Sequence, residues 1–319
     1  MANKANNGYQ RAAIHAAIWA IADDLRGAVD GWDFKNYVLG TMFYRYLSEN
    51  LADYINKYEH EEVGNTNFDY ARLSDTKAEE ARADIVNSKG FFILPSELFC
   101  NVCARAKNDE NLNETLEKVF AHIEDSSKGS EYEDRFAGLF ADFDTNSNKL
   151  GGTVTKRNER IFKILEGVAK MDFGVTEYRG DAFGDAYEYL MAMYASSAGK
   201  SGGEFFTPAD VSELLTRLGT VAKKTINKVY DPACGSGSLL LKAIKILGSE
   251  NKVERGFYGQ EINHTTYNLC RINMFLHGIS PDRFSIECGD TLTDPKHWDD
   301  EPFELIVSNP PYSIKWGGE

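Results

Sequence analysis

Apolar positions in the first half of the chain recur at the three- and four-residue spacing of amphipathic helices. Ile14, Ile18 and Ile21 share one helical face, and further stripes of this kind follow along the chain. No stretch within residues 1–150 alternates for long with the two-residue period of a strand. We therefore predict an all-helical N-terminal domain over residues 1–150, which ends in the polar, turn-rich stretch 144–155.

The pattern changes near residue 200, where short β-rich runs begin to alternate with helical runs. Strands that alternate with helices of about 10–15 residues are typical of a parallel sheet covered by helices. We therefore predict a doubly wound, Rossmann-like α/β domain over residues 151–319. The predicted strands are 228–230, 256–259, 284–286 and 305–307, and the helices between them include 239–247 and 266–277.

The charge balance argues against a chain that binds DNA without a partner. Lysine and arginine supply most non-specific affinity for DNA phosphates, yet the net charge is −14, with 35 Lys+Arg against 49 Asp+Glu. Five cysteines indicate no disulfide framework, and no apolar run is long enough for a membrane span. The polar start resembles no secretory signal. We expect a cytoplasmic protein. If its substrate is DNA, we expect a partner to supply most of the affinity for the DNA backbone.

A glycine-rich turn follows the first predicted strand and opens the helix after it. It begins at Asp231 and continues through Pro-Ala-Cys to Gly235, Ser236, Gly237 and Ser238. Glycines let the backbone turn tightly and approach a ligand, and amides at a helix start favour a carboxylate. An acid at the strand end can hold an amine. Together these features suit an amino-acid moiety such as the methionine end of S-adenosylmethionine, although an ordinary βα turn is the alternative.

Two further acidic residues end the next two predicted strands. Glu261 closes the second strand, where an acid suits a ribose diol in a doubly wound sheet. Asp290 ends the third strand after Gly289 and can accept a hydrogen bond from the exocyclic amine of an adenine. Each alone could be an ordinary surface carboxylate. In series with Asp231, they match the rule that ligands bind beyond the carboxyl ends of parallel strands.

The most specific motif is Asn309-Pro310-Pro311-Tyr312, directly after the fourth apolar strand. Two prolines fix the backbone and remove two amide donors, which leaves carbonyl oxygens free to accept. The Asn309 side-chain oxygen and the Pro310 carbonyl can each accept one hydrogen of an exocyclic amine, which frees the nitrogen lone pair for attack on a methyl group. Tyr312 offers a ring face on which a flipped-out base can stack.

The motifs GEFFTP, DPACGSG, GQE, GD and NPPY occur in that order. This order resembles amino-methyltransferases in which the cofactor-loop motif comes first, the gamma arrangement. The segments GWDFK at 31–35 and YRYLSE at 44–49 are similar to the helical N-terminal domain of type I modification subunits. The chain thus resembles the modification subunit of a type I restriction–modification system, an adenine-specific DNA methyltransferase that methylates N6.

The resemblance implies roles for individual residues. Those that match Asn309, Pro310, Pro311 and Tyr312 hold the target adenine, and no metal or covalent intermediate is needed. The residues that match the cofactor-binding positions of the family are Glu204, Phe205, Phe206, Thr207, Pro208, Asp231, Gly235, Ser236, Gly237, Ser238, Glu261 and Asp290.

The resemblance also implies partners and a length. In the family, two modification subunits join one specificity subunit, which selects the DNA target, and a restriction subunit cuts unmethylated DNA. Members are considerably longer than this chain, so we expect the later strands of the sheet to be missing and the chain to be inactive alone.

The sequence leaves several alternatives open. The Asn-Pro-Pro-Tyr motif also serves enzymes that methylate protein glutamine amides or RNA, and a scaffold without catalysis is a further possibility. Gly199-Lys200-Ser201 lacks the earlier glycine of a phosphate-binding loop. Cys100 and Cys103 have zinc-like spacing but no second pair close by, so we predict buried core thiols.

Overall fold

The fold is described by a computed structural model covering residues 2–24, 31–174, 179–195, 207, 209–249, 252–298 and 302–311. Internal contacts divide it into two compact units, Met1–Tyr194 and Ala195–Glu319. The first unit is helical, and the second is built on a parallel sheet. This confirms the predicted fold class.

Helices of the first unit pack around a shared apolar core. Helix α8 lies against α1, α2, α5 and α6, and it begins where the Thr153 hydroxyl accepts a hydrogen bond from the Lys156 amide. The contacts within the structure therefore place α8 and α9 in the first unit. The sequence pattern instead assigned both helices to the second domain. The domain limits 1–150 and 151–319 stay a prediction. The helices are α1 (Ala2–Asp24), α2 (Gly31–Tyr58), α3 (Asp75–Glu79), α4 (Arg82–Lys89), α5 (Phe99–Ala106), α6 (Leu112–Asp125), α7 (Glu133–Phe136), α8 (Val154–Ala169) and α9 (Arg179–Ala195).

The aromatic side chains of α2 are core residues. Tyr37, Phe43, Tyr44 and Tyr46 are all buried, and Tyr44 packs edge-on against Phe99 with ring centroids 5.5 Å apart. Edge-to-face pairs add to the free energy that burial already provides. These rings therefore serve helical core packing and are not available for base stacking.

The second unit holds a four-stranded parallel sheet in the order β3-β2-β1-β4. The chain moves outward from β1 through β2 to β3 and then returns to the other side of β1. Ligands of open α/β sheets bind beyond the strand ends at such a reversal. Its elements are α10 (Ala209–Gly219), β1 (Val229–Asp231), α11 (Ser238–Leu247), β2 (Phe257–Glu261), α12 (His264–Leu276), β3 (Phe284–Cys288) and β4 (Leu305–Ile306).

The two faces of this sheet are covered differently. Helices α11 and α12 pack on β1, β2 and β3, and α10 packs on α11. On the other face, the rings of Tyr230 and Tyr258 contact His297 and Phe303 from the connection between β3 and β4. The predicted site residues Asp231, Glu261 and Asp290 lie at or just after the carboxyl ends of β1, β2 and β3.

Among the described residues, none of the helices has the length and apolar character needed to cross a membrane. The cytoplasmic location stays a prediction.

Candidate active site

The glycine-rich turn after β1 lies directly on helix α12. Gly235 and Gly237 have φ angles of 53° and 80°, which L-residues rarely adopt. A Cβ atom on Gly237 would come within 2.8 Å of Cys270 Sγ and 3.0 Å of Met274 Cε. Glycine at 237 is therefore required twice, by backbone conformation and by space, and it lets the turn lead straight into α11.

We predict that Gly237→Ala lowers the free energy of unfolding by about 2–4 kcal/mol, because strain and overpacking add. Gly278 separates the two causes, since its φ is 76° but a Cβ atom added there would meet no atom within 4 Å. Gly278→Ala should cost about 1 kcal/mol. Denaturant unfolding of both variants measures the difference; equal losses would contradict close packing of the turn on α12.

Asp231, the last residue of β1, is a buried carboxylate with one free oxygen. Its side chain is 1 % exposed, and Oδ1 accepts a hydrogen bond of 3.1 Å from the Ala233 amide. Oδ2 has no hydrogen-bond partner among the described residues. Burial raises the pKa of Asp231 to about 7, and the hydrogen bond from the Ala233 amide lowers it. The Ser308 hydroxyl lies near enough to lower the pKa as well, but its Oγ makes no hydrogen bond of normal geometry, and the charge of Glu261 raises the pKa. A ligand ammonium group beside Oδ2 would supply the charge partner that this carboxylate lacks.

Glu261 ties the end of β2 to the glycine turn. Its Oε2 accepts from the Gly235 amide at 3.0 Å, and its Oε1 accepts from the Asn263 amide at 2.9 Å. Asn263 in turn caps α12 by accepting from the Thr266 amide. Each carboxylate oxygen keeps a second lone pair, so the half-exposed side chain is fixed in place and can still accept from a diol.

The end of β3 joins the same edge. The Gly289 amide donates to the Glu261 carbonyl at 3.0 Å, and Asp290 Oδ1 accepts from the Leu292 amide at 2.9 Å. The structure therefore brings the ends of β1, β2 and β3 together through direct bonds between their loops, as their order in the sheet predicts.

The Asn-Pro-Pro corner follows β4 on the other side of β1. The Val307 amide donates to the Tyr230 carbonyl at 2.9 Å, which aligns the corner with the end of β1. Asn309 Nδ2 donates to Thr207 Oγ1 at 3.2 Å. Pro310 and Pro311 are exposed. Since neither proline has an amide hydrogen, the backbone of Pro310 and Pro311 presents acceptors only.

Five of the predicted site residues lie outside the described residues. They are Glu204, Phe205, Phe206, Pro208 and Tyr312.

Sequence reasoning missed buried polar residues that hold the loops of the site. Gln260 is fully buried; its Nε2 donates to the Asp294 carbonyl, and its Oε1 accepts from the Lys296 amide. Asn273 Nδ2 donates to the Ser236 carbonyl at 2.7 Å, and Thr291 Oγ1 donates to the Pro232 carbonyl at 2.6 Å. The available signal was the amide side chain of Gln260 in a strand whose residues Phe257 and Gly259 are buried.

Two exposed apolar residues were also missed. Ile262 and Leu292 are 59 % and 68 % exposed, and they follow shortly after Glu261 and Asp290. A large apolar side chain beside an acidic strand end can pack on the face of a flat ring. The carboxylate can then accept hydrogen bonds from the polar edge of the same ring. The signal available in the sequence was that each residue follows shortly after an acidic residue at a strand end.

The remaining thiols and imidazoles form no metal site among the described residues. Cys100 is exposed, so the prediction of a buried thiol is wrong there: the apolar stripe of α5 faces the core through Phe99 and Val102 instead. Cys103 is half-buried, and burial raises its pKa to about 12. His264 Nδ1 lies 3.4 Å from Cys288 Sγ.

Two family models match the chain. The model described as "HsdM N-terminal domain" matches residues 14–168, and the one described as "N-6 DNA Methylase" matches residues 178–319.

Similar proteins carry related descriptions. The chain is 50 % identical over 326 aligned positions to the type I restriction enzyme MpnII methylase subunit of Mycoplasma pneumoniae, covering 97 % of this chain and 60 % of that protein. It is 26 % identical to the MjaIX methylase subunit of Methanocaldococcus jannaschii, covering 93 % and 50 %. Among solved structures, the type I restriction-modification methyltransferase subunit of Streptococcus thermophilus matches with a TM-score of 0.81 and 30 % identity, covering 96 % of this chain and 64 % of that one. The chain therefore spans less than two thirds of each relative's length.

Proposed function

Because the chain belongs to the family of type I restriction–modification methylase subunits, we propose that it transfers a methyl group from S-adenosylmethionine to N6 of adenine in DNA. The observation that carries this proposal is the placement of the Asn-Pro-Pro corner beside the end of β1, at the reversal of strand order where Asp231 and the glycine turn also lie. Donor and acceptor of the methyl group would then meet over one edge of one sheet.

The cofactor fits the residues at these strand ends. The free Oδ2 of Asp231 suits the ammonium of the methionine moiety, and the glycine turn at the start of α11 suits its carboxylate. Glu261 suits the ribose diol, and Asp290 suits the adenine amine. Ile262 and Leu292 offer apolar surface for the adenine ring. When bound, S-adenosylmethionine supplies an electrophilic methyl carbon attached to a sulfonium.

The corner would position the target amine for attack. Asn309 Oδ1 and the Pro310 carbonyl each accept one hydrogen of the exocyclic amine, so that its lone pair points at the methyl carbon. Attack by N6 forms a C–N bond as the C–S bond breaks, and the nitrogen then loses one proton. The chain contributes mainly by holding the reacting groups in line and excluding water. Tyr312 provides a ring on which the extruded base stacks.

The acidic charge supports the proposal of a partner. A net charge of −14 offers little attraction to DNA phosphates. We propose that a specificity subunit supplies most of the affinity for DNA and selects the target sequence. Two modification subunits join one specificity subunit, and a restriction subunit completes the system.

The test measures methyl incorporation by the full-length product of the gene that encodes this chain, with its specificity subunit present. We expect label from S-adenosylmethionine in duplex DNA, recovered as N6-methyladenine after digestion to nucleosides. Omission of the specificity subunit should abolish it. Label recovered only in protein, in RNA or in another nucleoside contradicts the proposal.

A further inference from the structure

We infer that Gln260 is a positioning residue for the adenine end of the cofactor, because its side chain holds the loop that carries Asp290; this inference rests on the proposed function of the same site. Gln260 lies in β2 and is fully buried. The loop, residues 289–296, follows β3 and passes close to this side chain, since a Cβ atom on Gly289 would lie 3.4 Å from Gln260 Nε2. A buried side-chain amide needs hydrogen-bond partners, and the loop supplies them.

The orientation of the Gln260 amide is fixed by two backbone groups with opposite hydrogen-bonding roles. Its Nε2 donates to the Asp294 carbonyl at 2.9 Å, and its Oε1 accepts from the Lys296 amide at 3.0 Å. A backbone carbonyl can only accept, and a backbone amide can only donate. Rotation of the side-chain amide by half a turn would place donor against donor and acceptor against acceptor. The side chain and the loop therefore fit together in one arrangement.

Bonds within the loop connect this attachment to Asp290. The Asp294 amide donates to the Asp290 carbonyl at 2.8 Å, which closes a turn over residues 290–294. Asp290 Oδ1 accepts from the Leu292 amide at 2.9 Å inside the same turn. Asp294 thus donates to Asp290 with its amide and accepts from Gln260 with its carbonyl. The position of the Asp290 carboxylate therefore depends on the position of the Gln260 amide.

Other contacts hold the loop near its beginning and just after its end. Thr291 Oγ1 donates to the Pro232 carbonyl at 2.6 Å, and His297 Nε2 lies 2.8 Å from the carbonyl oxygen of Gly259. Neither contact uses the side chain of Gln260. These contacts would therefore keep the loop on the sheet if the Gln260 amide were removed.

The two backbone groups that Gln260 holds belong to exposed residues. Because Asp294 and Lys296 are exposed, water can replace the amide at both groups. Removal of the amide should therefore loosen the turn that carries Asp290 without unfolding the domain. The exocyclic amine of the cofactor's adenine would lose its acceptor, while the methionine end would keep its own site on β1.

The first experiment compares two ligands that differ at one edge of the purine. One is S-adenosylmethionine, and the other is its analogue with hypoxanthine in place of adenine, which carries an oxygen where adenine carries the amine. Calorimetric titration of the full-length gene product should show at least about tenfold weaker binding of the analogue, because a carboxylate cannot accept from that oxygen. Gln260→Met fills a similar volume without either hydrogen-bonding group, and we expect it to reduce the ratio of the two Kd values below about threefold. An unchanged ratio overturns the inference.

The matched control removes another buried amide from the same unit. Asn273 is 2 % exposed, and its Nδ2 donates to the Ser236 carbonyl of the glycine turn at 2.7 Å. That turn suits the methionine carboxylate, which both ligands share. Asn273→Leu should therefore weaken both ligands by a similar factor and keep the ratio of their Kd values near its original value. Loss of the ratio in Asn273→Leu as well would show that removal of any buried amide abolishes the discrimination, and it would overturn the inference.

The second experiment needs no substitution. Hydrogen exchange of the unaltered full-length gene product reports on the attachment of the loop through the Lys296 amide. Although Lys296 is exposed, we expect its amide to exchange at least about tenfold more slowly than in an unfolded chain, and S-adenosylmethionine should slow the exchange further. Exchange at the unfolded rate, with and without S-adenosylmethionine, would show that Gln260 does not hold the loop.

These outcomes are distinct from failure of the proposed function. Absence of N6-methyladenine with the unaltered protein and its specificity subunit rejects the function. Its presence, together with a ratio of Kd values that survives Gln260→Met, rejects only the positioning role. Equal binding of both ligands by the unaltered protein shows that Asp290 does not recognise the amine, and the inference then fails while methyl transfer stands.

Discussion

Asn309→Ala is expected to lower methyl transfer by about 10²–10³-fold while the Kd for S-adenosylmethionine stays within about twofold. Removal of one preorganised polar group aimed at the reacting atom costs about this much in kcat. The cofactor should be unaffected, because the groups that suit it lie on β1, β2 and β3, whereas Asn309 follows β4. The measurement pairs single-turnover kinetics with calorimetric titration.

The matched control for this variant is Asn67→Ala, which removes an exposed asparagine of the first unit. It should leave transfer and cofactor affinity unchanged. Two results would show that the corner does not act on the target amine. One is a loss of cofactor affinity in Asn309→Ala as large as its loss of kcat, and the other is methyl transfer at the normal rate.

Asp231→Asn is expected to weaken S-adenosylmethionine binding by about 100-fold and, at the same time, to stabilise the protein above pH 7. The first effect follows because an amide cannot neutralise an ammonium in a buried setting, where an unpaired charge is costly. Calorimetry at pH 8 measures the affinity. An unchanged Kd would remove Asp231 from the cofactor site.

The stabilising effect follows from the raised pKa. The pKa of Asp231 is about 7 in the folded chain, against an ordinary value of 3.8. Between these values the folded state binds the proton and the unfolded state does not, so the stability contributed by this group falls as pH rises and is lowest above pH 7. Asparagine carries no charge and loses this dependence.

Denaturant unfolding should therefore show Asp231→Asn more stable than the unaltered chain by about 1–3 kcal/mol at pH 8, and no more stable near pH 4. The matched control is Asp282→Asn, which replaces an exposed carboxylate before β3 and should leave the free energy of unfolding at pH 8 within about 0.5 kcal/mol of that of the unaltered chain. Cofactor binding to the unaltered chain should also strengthen from pH 5.5 to pH 7, since Asp231 must lose its proton to pair with the ammonium.

The sequence predicted site residues correctly where a short apolar run ends in a residue with suitable chemistry. The acids at 231, 261 and 290 end short apolar runs, and strand ends in a parallel sheet share one edge, so their convergence could be predicted before the fold was known. The corner at 309–311 was predicted in the same way, because it directly follows an apolar strand.

Contacts between distant segments could not be predicted in this way. The Asn309–Thr207 bond joins residues 102 positions apart, and the bonds of Gln260 depend on where the connection after β3 crosses the sheet. The sequence predicted Thr207 only as a residue that matches the cofactor-binding positions of the family. The grouping of α8 with the first unit likewise depends on tertiary packing, because a polar, turn-rich segment marks a change of chain direction and not the limit of a core.

We propose that the ends of β1, β2 and β3 hold a methyl donor within reach of the corner after β4. A crystal structure of the full chain with a non-reactive analogue of S-adenosylmethionine would reveal this arrangement. We expect the amine of the analogue to contact Asp231, its ribose to contact Glu261, and its methyl-equivalent group to point at Asn309. An analogue bound at another edge of the sheet, or with that group turned away from Asn309, would contradict it.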